Sequence, residues 1–192
     1  MTEGVGPVRA GRFLWDLLLS VQRLAMLVAI VFATSAITIE VVMRYVFRSS
    51  FVGVQELAAY TALWLYFSGA AYSTYTRGHI SADLAHLFLK KTRHLGILKL
   101  LTNAVSFGLT LYVLPWAWRY FEWGFTRHEQ SSSTLFGKTY DIVFFQASIL
   151  VGMALMAFYF GVECFRIAAS LIRTGDVPAE FLREREEIQS WI

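Results

Sequence analysis

The residues able to do chemistry are few, and most sit where apolar segments end. Glu40 is the one acid well inside an apolar stretch, and Arg44 follows it by one helical turn. A charge held in hydrocarbon costs at least about 2.5–3.5 kcal/mol, so such an acid is a candidate for ion or proton coupling. The alternative is an i,i+4 ion pair with Arg44 at headgroup level, which loses little solvation. Glu163 and Arg166 read the same way at the far end of another segment. His79, His86, His94 and His128 all lie in connections or at segment ends. That leaves no axial ligands for an intramembrane haem and no partner for an embedded catalytic serine. The single cysteine, Cys164, excludes an internal disulfide, a CxxC pair and a thiolate zinc site. Within an apolar helix it reads as a small packing residue. No HExxH motif, glycine-rich phosphate loop or metal-spaced carboxylate pair is present. The expectation is a chain that is not an enzyme and holds no cofactor.

The elements that would position these residues are long and apolar. Of 192 residues, 56% are apolar, against about 45–50% in a soluble domain. Four runs stand out: Leu24–Met43, Leu57–Thr76, Leu100–Trp118 and Ile142–Val162. At about 1.5 Å per residue each can cross roughly 30 Å of hydrocarbon. Lipid offers no partner to a bare backbone amide, so each run should be a continuous helix. The runs are solidly apolar and do not alternate, which disfavours a β-barrel. The expected fold is therefore an all-α membrane protein with four transmembrane helices. With helical ends included, the spans cover about 24–47, 54–76, 96–120 and 140–166. Residues 1–23 read as an N-terminal arm, 24–172 as the membrane domain and 173–192 as a tail that follows a Gly-Asp-Val-Pro stop. The apolar stretch after Arg23 is too long for a cleaved signal segment.

Basic residues give the orientation. The arm carries Arg9, Arg12 and Arg23, and the middle connection carries Arg77, Lys90, Lys91, Arg93 and Lys99. The C-terminal end adds Arg166, Arg173, Arg183 and Arg185, while the other side has Arg44, Arg48, Arg119, Arg127 and Lys138. Both termini are expected in the cytoplasm. Trp116, Trp118 and Trp123 would form an outer aromatic belt in contact with membrane lipids. In the middle connection, Ile80, Leu84, Leu87 and Phe88 share a helical face opposite charged residues. This predicts an amphipathic interfacial helix over about 79–94, with Gly78 as the bend. The alternative is an extension of a neighbouring span. Net charge is only +3 and no basic stripe forms, so nucleic acid is not an expected partner.

The spans offer packing surface instead of reactive groups. The second carries Ala58, Ala59, Ala62, Ser68, Gly69, Ala70, Ala71 and Ser73, and the fourth carries Ala147, Ser148, Gly152, Ala157 and Gly161. Small residues let helix backbones approach closely in lipid. Such faces serve either contacts inside this bundle or contacts with another membrane subunit.

One stretch carries more specific information. Arg44-Tyr45-Val46-Phe47 is followed by Glu56-Leu57-Ala58, Trp64, Phe67-Ser68-Gly69-Ala70-Ala71 and Gly78-His79-Ile80 with Asp83. This series resembles the small membrane subunit (Q-type, DctQ-like) of tripartite ATP-independent periplasmic (TRAP) transporters. The motifs cover about a quarter of the chain, and the four-span layout extends the agreement to nearly all of it. Where the family usually has two acids before Leu-Ala, this chain has Gln55-Glu56.

The resemblance implies a partner set. A periplasmic substrate-binding protein captures an organic acid, and a large TRAP membrane subunit moves it inward, usually with sodium. The small subunit would sit in the bacterial inner membrane, scaffold the large one and help dock the binding protein. Arg44, Glu56, Trp64, Gly69, Gly78, His79 and Asp83 would then be structural or interface residues. Two pairings are expected among them, His79 with Asp83 and Arg44 with Glu56. The competing expectation is a stand-alone small transporter or channel that uses Glu40. C4-dicarboxylates, keto or hydroxy acids and sugar acids all fit the substrate class.

Overall fold

A computed structural model describes residues 7–49, 52–76, 92–134 and 138–174. Four α-helices account for most of them: α1 (Pro7–Tyr45), α2 (Val52–Tyr75), α3 (Thr92–Arg127) and α4 (Val143–Thr174). An isolated β-bridge joins Gln130 and Asp141. Three of the helices, α1, α3 and α4, are long and apolar enough to cross a membrane. The fourth, α2, has 24 residues, about 36 Å at helical rise. Its sequence is diluted by Tyr, Trp, Ser and Thr, which lowers its hydropathy without adding charge. The proposed interfacial helix at 79–94, with Gly78, His79 and Asp83, falls mostly outside the described residues. So does most of the tail at 173–192.

Helix α1 begins much earlier than the apolar run it carries. It has 39 residues, about 58 Å of helix, and takes in most of the expected N-terminal arm. The reason is local. Pro7 occupies the first helical position, where its missing N–H costs nothing and its fixed φ fits the helix. Nothing between Pro7 and Leu24 stops propagation except Gly11, which a long helix tolerates. The ends of α1 and α3 are also defined. Arg48 (φ 53°) and His128 (φ 48°) adopt the left-handed conformation just past each helix. There Ser49 N–H reaches the Met43 carbonyl and Glu129 N–H reaches that of Gly124.

The chain divides into two compact units. The first comprises Met1–Tyr72 and Trp116–Gly152. Within it, the buried residues of α1 form one stripe: Leu19, Gln22, Ala29, Ala33, Ala36 and Glu40, with Met26 half-buried between them. Steps of three and four residues keep this stripe on one face, and its alanines permit close backbone approach. It meets α2 where Gln22 Nε2 donates to the Ser68 carbonyl at 2.8 Å. Large aliphatic side chains occupy the rest of α1 and are exposed, Leu24, Leu27 and Val31 among them. Exposed apolar surface on this scale marks a lipid or protein environment, not water.

Helices α2 and α4 approach closely at Gly152. A Cβ there would lie 2.6 Å from the Phe67 Cβ and 2.9 Å from its carbonyl oxygen. The Ser148-xxx-Gly152 pair is thus consumed by contacts inside this chain, with Ser148 only 1% exposed.

The second unit comprises Ser73–Pro115 and Met153–Ile192. Its core centres on Ile167, fully buried against Leu100 and Leu171. Tyr75 and Tyr159 pack with ring centroids 5.7 Å apart. A Cβ at Gly161 would meet the Phe107 ring at 3.2 Å, so the Ala157-xxx-Gly161 pair of α4, with Ala157 buried, also serves internal packing.

Candidate functional site

Four of the seven motif residues, Arg44, Glu56, Trp64 and Gly69, lie in the first unit, on α1 and α2. The other three, Gly78, His79 and Asp83, lie outside the described residues. Arg44 and Glu56 do not pair with each other. Arg44 Nη2 donates to Glu40 Oε1 at 2.8 Å and to Gln55 Oε1 at 3.3 Å. Glu40 is only 5% exposed and occupies the last position of the α1 stripe. Its charge is therefore matched one turn away, and the same guanidinium ties α1 to the start of α2. Gln55, which stands where the family usually has an acid, serves here as a neutral acceptor for Arg44.

Glu56 reaches the opposite way, into the connection between α3 and α4. Its Oε1 accepts from Ser132 N–H at 3.0 Å, Ser132 Oγ at 2.9 Å and Tyr60 hydroxyl at 2.8 Å. Its Oε2 accepts from Ser133 N–H at 2.9 Å. Two consecutive backbone amides converging on one carboxylate make a small anion-binding nest. Glu56 lies one residue ahead of the apolar run that opens at Leu57.

The loop that supplies the nest is itself braced. Ser131 N–H bonds the Tyr140 carbonyl at 2.9 Å, and Ile142 N–H bonds that of Glu129 at 3.0 Å. Ser131 Oγ donates to the Ser133 carbonyl at 2.8 Å and accepts from Tyr140 N–H at 3.2 Å. Beneath it, Tyr60 of α2 stacks on Phe145 of α4 at 5.7 Å and meets Tyr140 edge-on at 6.4 Å. Trp64 tilts against Phe144 at 5.2 Å, while its Nε1 is buried without a hydrogen-bond partner. On the other side of the loop, Gln146 is 2% exposed and its Nε2 donates to Glu129 Oε2. Gly124 makes room for it, since a Cβ there would overlap Gln146 Oε1 at 1.7 Å.

Gly69 differs from Gly124 and Gly152. A Cβ at Gly69 would meet only Met26 Sδ, at an ordinary 4.0 Å. Among the described residues nothing requires glycine there.

This arrangement fixes backbone; it does not activate a nucleophile or poise an acid against a base. Among the described residues no group of three His, Cys, Asp or Glu side chains is placed to hold a metal ion. Sequence reasoning singled out Glu56 but missed its partners Ser132 and Ser133, and missed Gln22, Glu129 and Gln146. Gln146, inside the apolar run Ile142–Val162, was the available signal, because an amide there needs a partner.

The family model for the DctQ component of tripartite ATP-independent periplasmic transporters matches residues 33–170. The chain belongs to the DctQ family. A comparison with individual curated proteins gave no significant match. The matched segment contains the Glu40–Arg44–Gln55 link, the Glu56 nest, the α2–α4 contact at Gly152 and the buried Ile167 with Leu100. As a DctQ-family protein it is a transporter component and a membrane protein, and the family works alongside the other TRAP components.

Proposed function

We propose that this DctQ-family chain is the non-catalytic small permease subunit of a TRAP-type importer of organic acids in a bacterial inner membrane. It scaffolds the large membrane subunit and helps dock the periplasmic binding protein, with cation-coupled, sodium-driven transport carried out by the large subunit. The family match over residues 33–170 carries this reading. In it the four helices all span, both termini are cytoplasmic, and residues 79–94 lie along the cytoplasmic interface. The Glu56 nest and the 128–142 loop then face the periplasm.

The physical support is the kind of site this is. Four hydrogen bonds from Ser132, Ser133 and Tyr60 lock Glu56, which gives a loop of fixed shape suited to docking. The exposed aliphatic surface of α1 gives a large membrane neighbour something to cover. In this reading Arg44, Glu56 and Trp64 build the outer platform, Gly69 faces a neighbour, and Gly78, His79 and Asp83 set the turn into the interfacial helix. The pairing of Glu40 with Arg44 at 2.8 Å supports this reading over the stand-alone transporter.

Affinity capture tests the assignment. A tagged chain co-expressed with the large TRAP subunit of its own system should retain that subunit through purification in mild detergent. Recovery of the chain alone, with the large subunit present in the same membranes, would refute it.

A further inference from the structure

The C-terminal end of α3 carries a pattern that the subunit reading does not use. Trp116, Arg119, Trp123 and Arg127 follow at intervals of three, four and four residues, which places all four on one face of the helix. That face points away from the packed side, where Ala117 and Gly124 are buried. Trp116 is 62% and Trp123 43% exposed, and both arginines are exposed. The guanidinium of Arg119 lies 5.8 Å from the Trp116 ring centroid, and that of Arg127 lies 5.3 Å from the Trp123 centroid.

Stacking on a ring occupies one flat face of a guanidinium and leaves its in-plane N–H edge free to grip two oxygens at once. Among the described residues neither Arg119 nor Arg127 forms an ion pair with an acid. Glu122 lies three positions after Arg119, about 60° from it around the helix, but makes no ion pair with it.

Position names the anion. The stripe begins at the end of the apolar run that closes at Trp118. It then continues for about 16 Å along the axis, through a headgroup layer roughly 5–8 Å thick. Phosphates lie at that depth. The cations also lie on the side where the charge bias predicts fewer of them, so topology does not account for them.

We propose that the Trp116–Arg119–Trp123–Arg127 face of α3 binds the headgroup of an anionic phospholipid, with Arg119 gripping its phosphate, Arg127, about 12 Å further along the axis, facing the outer edge of the headgroup, and its glycerol region packed on the tryptophans. This rests on the reading that α3 spans the bilayer.

The test uses the full chain in detergent with equimolar phosphatidylglycerol and phosphatidylcholine, and native mass spectrometry to count retained lipids. Wild type should favour phosphatidylglycerol by about five-fold for each arginine engaged. The R119Q/R127Q double variant should lose that preference. K138Q, which removes a cation from the nearby loop, should keep it. Equal retention of both lipids by wild type, an unchanged preference in R119Q/R127Q, or an equal loss in K138Q would each overturn the proposal. So would displacement of the lipid by millimolar inorganic phosphate, which would make this a phosphate site. If R119Q/R127Q keeps its lipids and instead sheds a co-purifying protein, the face belongs to that protein and the lipid proposal fails. Resistance of the chain to alkaline extraction from membranes scores the spanning reading separately.

Discussion

Glu56, near the start of α2, accepts the backbone N–H of Ser133, 77 positions later in the chain, at 2.9 Å. With Ser132 and Tyr60 completing the set, a single carboxylate joins α2 to the α3–α4 connection. Glu56→Gln should weaken this joint, because the new amide NH2 would oppose one of the N–H donors. Hydrogen bonds to a charged group are worth about 1.5–3 kcal/mol each, and partial exposure reduces the net effect. A loss of roughly 1–2 kcal/mol is expected, read as a fall of several degrees in the melting temperature in detergent. An unchanged melting temperature would show that the nest contributes nothing.

Gly152 and Gly69 should respond oppositely to alanine. Gly152→Ala places a methyl 2.6 Å from Phe67 Cβ, an overpacking that costs about 1–3 kcal/mol. Gly69→Ala meets only a 4.0 Å contact and should leave melting unchanged or slightly raised. If Gly69 faces the large subunit, its alanine variant should still reduce capture of that partner. Intact capture would remove Gly69 from the interface.

Gly124 and Gln146 should act as one unit. Gly124→Ala displaces the Gln146 amide and breaks its bond to Glu129, at a cost of about 1–3 kcal/mol for the stranded buried group. In a Gln146→Ala background the same substitution should cost little, giving strong non-additivity in a double-mutant cycle. Additive effects would mean that the two residues do not share the site.

Much of the helical layout was legible because apolar runs of spanning length leave few other solutions. The Glu40–Arg44 pair was legible too, since i,i+4 spacing fixes it locally. The expected Arg44–Glu56 pair was not formed. Arg44 turned to Glu40 and Gln55, and Glu56 turned to two backbone amides that no side-chain pattern announces. Ser131-Ser132-Ser133 looks like any polar connection until the fold brings α2 beneath it. The early start of α1 was missed for a different reason. Hydropathy marks where a membrane segment begins, whereas the helix starts where Pro7 allows it.

The central claim is that this chain supports transport without performing it. Uptake of a labelled organic acid into proteoliposomes, with the binding protein outside and a sodium gradient imposed, tests it most directly. Vesicles holding both the large subunit and this chain should accumulate substrate, and vesicles holding either one alone should not. Uptake by this chain alone, or undiminished uptake by the large subunit without it, would contradict the account.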